Sequence, residues 1–290
     1  MNDDLLFCVP LDDPSGELGL APELLDALEL DFSSYFDREQ GAVRHTVYTP
    51  SPAEAEAVRA RLSELLPSWK ELGADLRMGD VFPLRKAEWA EAWKQYFQPV
   101  EISPRLLIRP SWRDDAPRPG QQVLNIDPGM SFGTGQHATT LFCLRQLDKL
   151  AAPGKSMLDA GCGSGILAIA AGLLGYGQID AFDFDTDAVA AARENIARNH
   201  LEARIVPQVG NAADWRSGHK YDVVCANILG HLLIAFRFNI ASWVAAGGKL
   251  ALAGILERDF DKVSAAYAEI GMAEVDRFTD REWTGGVFQG

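Results

Sequence analysis

The sequence predicts an α/β fold in which a seven-stranded, mostly parallel sheet with a closing antiparallel hairpin follows a small N-terminal α+β domain. Three observations carry that expectation. From Met157 to Ala171 an apolar strand runs into a glycine-rich turn and then an apolar helix. Beyond it, strand and helix patterns alternate as a parallel sheet requires, and two strands, Ala273 to Phe278 and Glu282 to Phe288, close the chain without a helix between them. Ahead of it, about eighty residues hold two helix patterns set between strands, as in a split βαβ sandwich.

Leu5 to Leu11 reads as the first strand, and Leu24, Leu25, Leu28 and Leu30 recur at helical spacing between Leu20 and Phe32. Ala42 to Thr49 alternates as a strand with Val43, His45 and Val47 on one face. Ser51 is an N-cap followed by Pro52 at the first helical position, and Val58, Leu62, Leu65 and Leu66 are the apolar stripe of that helix. Ala74 to Phe82 completes the set as a strand. Leu84 to Val100 reads as an amphipathic connecting helix, with Trp89, Trp93, Tyr96 and Phe97 on its packing side and Pro99 ending it. Arg105 to Trp112 and Gln121 to Asp127 follow as strands around a proline-rich loop. The expected division is residues 1–82, a linker helix over 83–104, and a larger domain over 105–290.

Asp127 to Thr140, DPGMSFGTGQHATT, leads into a helix whose Leu141, Leu144, Leu147 and Leu150 sit at helical spacing, with Thr139 or Thr140 able to cap it. The segment is either a plain turn and cap or a grip for the carboxylate of an amino-acid-like ligand, through hydroxyls and free helix-start N–H groups. The glycine turn after Leu158 also has several readings. Gly163, Gly165 and Ala168 satisfy a loose dinucleotide fingerprint, and a purely structural turn is the bland alternative. Asp159, however, stands just before the glycines Gly161, Gly163 and Gly165, where its charge would oppose a pyrophosphate. A carboxylate there suits a cation, and S-adenosylmethionine carries a sulfonium, an ammonium and no phosphate.

Ile179 to Phe184 is the next strand, and Asp183 lies twenty residues beyond Gly163, a spacing that suits an acid holding a ribose hydroxyl pair. Asp185 is the competing acid and an equally natural helix cap. Arg204 to Val209 reads as the third strand, followed by Asn211, whose side chain either meets an adenine amino group or forms a turn. Tyr221 to Asn227 is the fourth, and Asn227 leaves its carboxyl end, where ligands of open α/β sheets bind. A helix over His231 to Ala246, a strand over Lys249 to Leu256 and a helix over Arg258 to Ile270 precede the closing strands.

Bulk properties narrow the partners. The 290 residues carry a net charge of −14, and residues 1–80 hold 17 acids against 6 bases. An acidic first segment opposes a nucleic-acid backbone and favours either a basic protein partner or simple solubility. The longest apolar run, Ile166 to Tyr176, is too short for a membrane span, and Met-Asn-Asp-Asp offers no basic start for a secretory signal. Cys8, Cys143, Cys162 and Cys225 lack metal-ligand spacing, so no metal site and a reducing cytoplasmic setting are expected.

Three stretches together, FGTGQHATT at Phe132 to Thr140, LDAGCGSGILAIAA at Leu158 to Ala171 and ANIL at Ala226 to Leu229, resemble the ribosomal protein L11 methyltransferase family (PrmA), which are Rossmann-like class I S-adenosylmethionine enzymes. The segment Glu88 to Val100 is similar to that family's interdomain stretch, while the first eighty residues are similar in architecture only. The resemblance implies that Thr140 contacts the methionine part of the cofactor, that Gly161 lies against it, that Asp183 holds the ribose, and that Asn227 lies between cofactor and target amine. Asp159, Gly163 and Asn211, read from the residues themselves, complete the expected cofactor set, with Asn211 standing where many class I enzymes have an acid, and His137 belongs to the motif as a structural residue. It further implies methylation of lysine or other amino groups of a basic ribosomal protein, with the first domain recognising it; separately, the chain is expected to be a monomer. The alternatives are the same fold acting on another protein lysine, a nicotinamide-dependent oxidoreductase, and a cofactor-binding module without chemistry.

Overall fold

The computed structural model describes residues 5–15, 20–28, 30–37, 42–85, 98–127 and 137–290. The chain divides into two compact units, Met1–Tyr96 and Phe97–Gly290.

The first unit contains β1 (Leu5–Asp13), α1 (Ala21–Asp26), β2 (Phe32–Asp37), β3 (Ala42–Thr49), α2 (Pro52–Glu71), β4 (Arg77–Met78) and β5 (Phe82–Arg85). They build an antiparallel sheet in the order β2-β3-β1-β4, with β5 also paired to β1. Val9 and Leu11 of β1 and Val47 of β3 share a buried cluster with Leu25, Leu62 and Trp69 from the helices. Ser51 caps α2 as its sequence requires, its hydroxyl accepting from the Glu54 N–H at 3.2 Å.

Three expectations are corrected in this unit. The first helix is shorter than its leucine spacing suggests, and Phe32 instead opens β2, where aromatic and hydroxyl side chains suit an antiparallel edge. The strand expected over Ala74 to Phe82 splits into β4 and β5, because its register against β1 slips by one residue between Met78 opposite Leu11 and Phe82 opposite Cys8. Leu84 and Arg85 belong to β5 rather than to a connecting helix, and most of that helix, residues 86–97, lies outside the described residues.

The second unit opens with a three-stranded sheet, β6 (Val100–Ser103), β7 (Leu106–Arg109) and β8 (Gln122–Asn125). Its main sheet comprises β9 (Met157–Ala160), β10 (Ile179–Asp183), β11 (Gln208–Val209), β12 (Tyr221–Asn227), β13 (Val244–Leu256), β14 (Ala273–Asp280) and β15 (Trp283–Gln289). Their order is β11-β10-β9-β12-β13-β15-β14. The first five run parallel, and β15 enters antiparallel between β13 and β14, which gives the predicted closing hairpin.

Strand alternation sends Met157, Ala181, Val223 and Cys225 to one face, with α3 (Ala138–Leu150), α4 (Ile166–Leu173) and α5 (Thr186–Arg198). Leu158, Ala160, Phe182 and Val224 point to the other face, with α6 (Gly230–Ala235), α7 (Arg237–Ser242) and α8 (Glu257–Ala268). Apolar burial on both faces is what a doubly wound sheet needs.

Two further expectations change here. The third strand shrinks to β11, because the Arg204 and Ile205 N–H groups turn back onto the Leu201 carbonyl. The helix expected over His231 to Ala246 breaks at Phe236, and Val244 already pairs with Tyr221 in the sheet. Among the described residues no helix is long and apolar enough to cross a membrane, and no group of acids, histidines and cysteines is placed to hold a metal.

Candidate active site

All four residues of β9 are buried, so the strand delivers Asp159 to its carboxyl end almost without solvent, 1 % exposed. The Ala168 N–H of α4 donates to Asp159 Oδ2 at 3.1 Å, whereas the buried Oδ1 has no hydrogen-bond partner among the described residues. Desolvation, assisted by the nearby Asp183, pushes the Asp159 carboxyl up to about 7, against the pull of the Ala168 hydrogen bond. Gly161 and Cys162 turn the chain by donating their N–H groups to the Phe182 carbonyl of β10, each at 2.9 Å. Gly161, Gly163 and Gly165 all take positive φ. At Gly161 the room is specific, because an added Cβ would stand 2.5 Å from Ile228 Cγ2.

Asp183 closes the other side of the loop. Its Oδ2 accepts from the Gly163 N–H at 2.8 Å and its Oδ1 from the Asp185 N–H at 3.1 Å. Asp185 in turn caps α5 by accepting from the Asp187 N–H at 2.9 Å, which separates the two acids into a crevice residue and a cap. Each Asp183 oxygen keeps a lone pair for a further donor. Asp159 and Asp183 therefore end adjacent parallel strands, and among the described residues neither has an ion-pair partner.

Asn227 ends β12 on the opposite side of β9. Its Nδ2 donates to Thr140 Oγ1 at 3.4 Å, so the structure brings together two residues 87 positions apart in sequence. Thr140 is fully buried in the first turn of α3, and Asn227 Oδ1 is buried without a partner among the described residues. The cap of α3 differs from expectation. His137 fills it, with Nδ1 accepting from the Thr139 N–H at 3.4 Å and pairing with Thr139 Oγ1 at 2.8 Å, while its ring meets Trp283 edge-on at 4.9 Å. Burial lowers the His137 pKa against the opposing effect of Glu282. The preceding motif residues 128–136 lie outside the described residues.

Among the described residues the Asn211 side chain shares no hydrogen bond with either group, although the Gly210 N–H before it donates to the Asp183 carbonyl at 2.8 Å. Asn211 is exposed after β11, and its Oδ1 accepts from the Ala213 N–H at 2.9 Å, the turn geometry that was the alternative to adenine recognition. Sequence reading misses Trp283, which sits in an ordinary strand pattern and reaches His137 only through sheet order. Ile228 lies inside the ANIL stretch, but its close approach to Gly161 is not readable from it.

The residues present suit a cationic, phosphate-free ligand: an unpartnered carboxylate oxygen under a glycine turn, a strand-end acid with open lone pairs, and no basic side chain paired to either. With this strand order, they define a class I S-adenosylmethionine-dependent methyltransferase domain. A family model described as ribosomal protein L11 methyltransferase (PrmA) matches residues 28–289. The ribosomal protein L11 methyltransferase of Chloroflexus aurantiacus is 34% identical over 259 residues, 81% of this chain and 79% of that one. The protein of the same name from Geobacter metallireducens is 37% identical over 269 residues, 91% and 88% of the two chains. A crystal structure of ribosomal protein L11 methylase from Lactobacillus delbrueckii subsp. bulgaricus superposes with a TM-score of 0.61 at 30% identity, covering 67% of this chain and 98% of that one. The chain belongs to the ribosomal protein L11 methyltransferase (PrmA) family.

Proposed function

We propose that this methyltransferase acts on lysine ε-amino groups, or other amino groups, of ribosomal protein L11. The observation that carries the reading is the buried, unpartnered Asn227 Oδ1 at the carboxyl end of β12, held through Nδ2 by Thr140. An orphaned acceptor in a buried site costs stability unless a donor arrives, and an amine N–H is such a donor. By accepting from the amine, Asn227 aims the nitrogen lone pair at near-attack distance, where orientation contributes most. A lysine enters mostly protonated, with a pKa near 10.4, and loses its proton as burial and a neighbouring cation depress that value. The chain then needs no general base. S-adenosylmethionine supplies the electrophilic sulfonium methyl for the displacement.

In this reading Asp183 receives the ribose hydroxyls on its remaining lone pairs. Asp159, Gly161 and Gly163 shape the turn beside the cationic end, and Thr140 contacts the methionine portion. Asn211 offers its remaining lone pair to the adenine amino group. The first unit recognises the basic substrate and the second catalyses; of the linker expected over 83–104, residues 83–85 and 100–103 are strands of the two units instead. The protein works in the cytoplasm as a monomer, without direct nucleic-acid contact.

Purified ribosomal protein L11 and a methyltransferase-deficient lysate, each incubated with labelled methyl donor, test the substrate, and labelling of a different chain overturns it. Asn227→Ala tests the mechanism. Turnover is expected to fall by about a hundredfold or more while affinity for S-adenosylhomocysteine stays within a few-fold. Equal losses in both contradict the assigned role.

A further inference from the structure

The turn that carries Asn227 out of β12 is held from two sides by glycines. On one side is Gly161, where a Cβ would lie 2.5 Å from Ile228 Cγ2. On the other is Gly254 of β13, where a Cβ would lie 2.5 Å from the Ile228 carbonyl oxygen and 2.9 Å from its carbonyl carbon. Both glycines adopt left-handed backbone, with φ of +76° and +79°. Gly254 also falls where β13 slips register against β15, between Leu252 and Ile255. On its other edge the same strand keeps register with β12 as far as Asn227 opposite Ala253. Pairing with β12 ends there, one residue before Gly254, so the irregularity falls where Asn227 leaves the sheet, and bulges of this kind re-aim neighbouring groups.

We propose that Gly254 is a positioning residue for methyl transfer. The bulge lets the β13 backbone close onto the Ile228 peptide and fixes the direction in which Asn227 leaves the sheet. The Ile228 side chain keys that turn into the glycine loop at Gly161. The inference rests on the role given above to Asn227. A backbone contact cannot yield as a side-chain tip does, so a methyl group at Gly254 displaces the Ile228 peptide and, with it, Asn227. The cofactor loop, whose own hydrogen bonds run to β10, keeps its shape.

The test compares Gly254→Ala with Gly271→Ala in the full chain. Gly271 has a similar φ of +85° but no atom within 4 Å of an added Cβ, so it reports backbone strain alone. Gly254→Ala is expected to lose turnover on the order of a hundredfold, the cost of roughly 1 Å misplacement, with S-adenosylhomocysteine affinity within about threefold. Gly271→Ala is expected to lower only the melting temperature. Combining Gly254→Ala with Asn227→Ala should cost no more turnover than Asn227→Ala alone. Additive losses, wild-type turnover in Gly254→Ala, or an equal turnover loss in Gly271→Ala each overturn the proposal.

Should Gly254→Ala not fold, Ile228→Ala decides: lower turnover at preserved affinity supports the strut, and unchanged turnover removes it. Wild-type turnover in Asn227→Ala alone identifies failure of the underlying functional reading instead.

Discussion

Two strand ends flank β9, and they are finished in opposite ways. At the end of β10, Asp183 is wired at both oxygens into backbone N–H groups, at Gly163 and Asp185. At the end of β12, Asn227 is held by one long hydrogen bond to Thr140 and keeps an unpartnered oxygen. A carboxylate fixed at both oxygens has its geometry set before any ligand arrives, which favours affinity. An amide with an unused buried acceptor is incomplete until a donor arrives, which favours interactions realised during reaction. On the function proposed above, the contrast separates a side of the crevice that binds from a side that orients.

Removing the fixed carboxylate should have the largest effect. Asp183→Ala leaves the Gly163 and Asp185 N–H groups without their acceptor and takes away the proposed ribose contact, and hydrogen bonds to charged groups contribute about 1.5–3 kcal/mol each. Titration calorimetry should show S-adenosylhomocysteine affinity falling by about a hundredfold or more, with turnover at saturating methyl donor reduced much less. Lost turnover at unchanged affinity would reverse the assignment of the two strand ends.

Much of this contrast was legible in the sequence, because it depends on local order. The glycine turn after β9, the twenty-residue step to Asp183 and the run YDVVCAN ending in Asn227 are read directly from residue type and spacing. The whole parallel sheet follows from the same alternation. What escaped depends on partners distant in sequence. The 3.4 Å contact from Asn227 to Thr140 exists only once α3 packs on β12, and the edge-on packing of His137 with Trp283 only once β15 has inserted between β13 and β14. Of Phe32–Asp37 only Phe32 is read, as the end of the preceding leucine pattern, and the rest receives no element, because six residues carry too little periodicity to mark a strand and β3 supplies the pairing that defines it. Gly254 did leave a trace, a lone glycine inside the apolar run LALAGIL, which signals a bulge or a close backbone approach.

Asp159 sharpens the comparison through pH. Its carboxyl sits near 7 in the folded chain, well above the value near 3.8 of an ordinary aspartate, because burial penalises the charge. Between those values the folded protein holds a proton that the unfolded chain releases. Stability from this group is therefore full below about pH 4 and is lost as pH rises through 7, by at most about 4 kcal/mol. Calorimetric melting of Asp159→Asn should lack this decline and exceed the wild type at pH 8, while S-adenosylmethionine affinity falls because the negative charge is gone. Parallel melting curves for the two proteins across that range would show that Asp159 stays ionised.

The smallest effect is expected at His137, which the orienting side uses as scaffold. Its Nδ1 accepts the Thr139 N–H at the start of α3, one residue before Thr140. His137→Ala removes that cap and the ring contact with Trp283, a loss of about 1 kcal/mol, or about 2–4 °C in melting temperature. Asn, a strong N-cap, should recover most of the difference. Burial already holds the His137 pKa below its ordinary value, and the chemistry assigns it no proton, so turnover between pH 7 and 9 should follow the wild-type profile in both variants. A new limb in the pH profile of His137→Ala, unrelieved by Asn, would make this residue part of the proton path and place a base on the side of the crevice where only orientation is proposed.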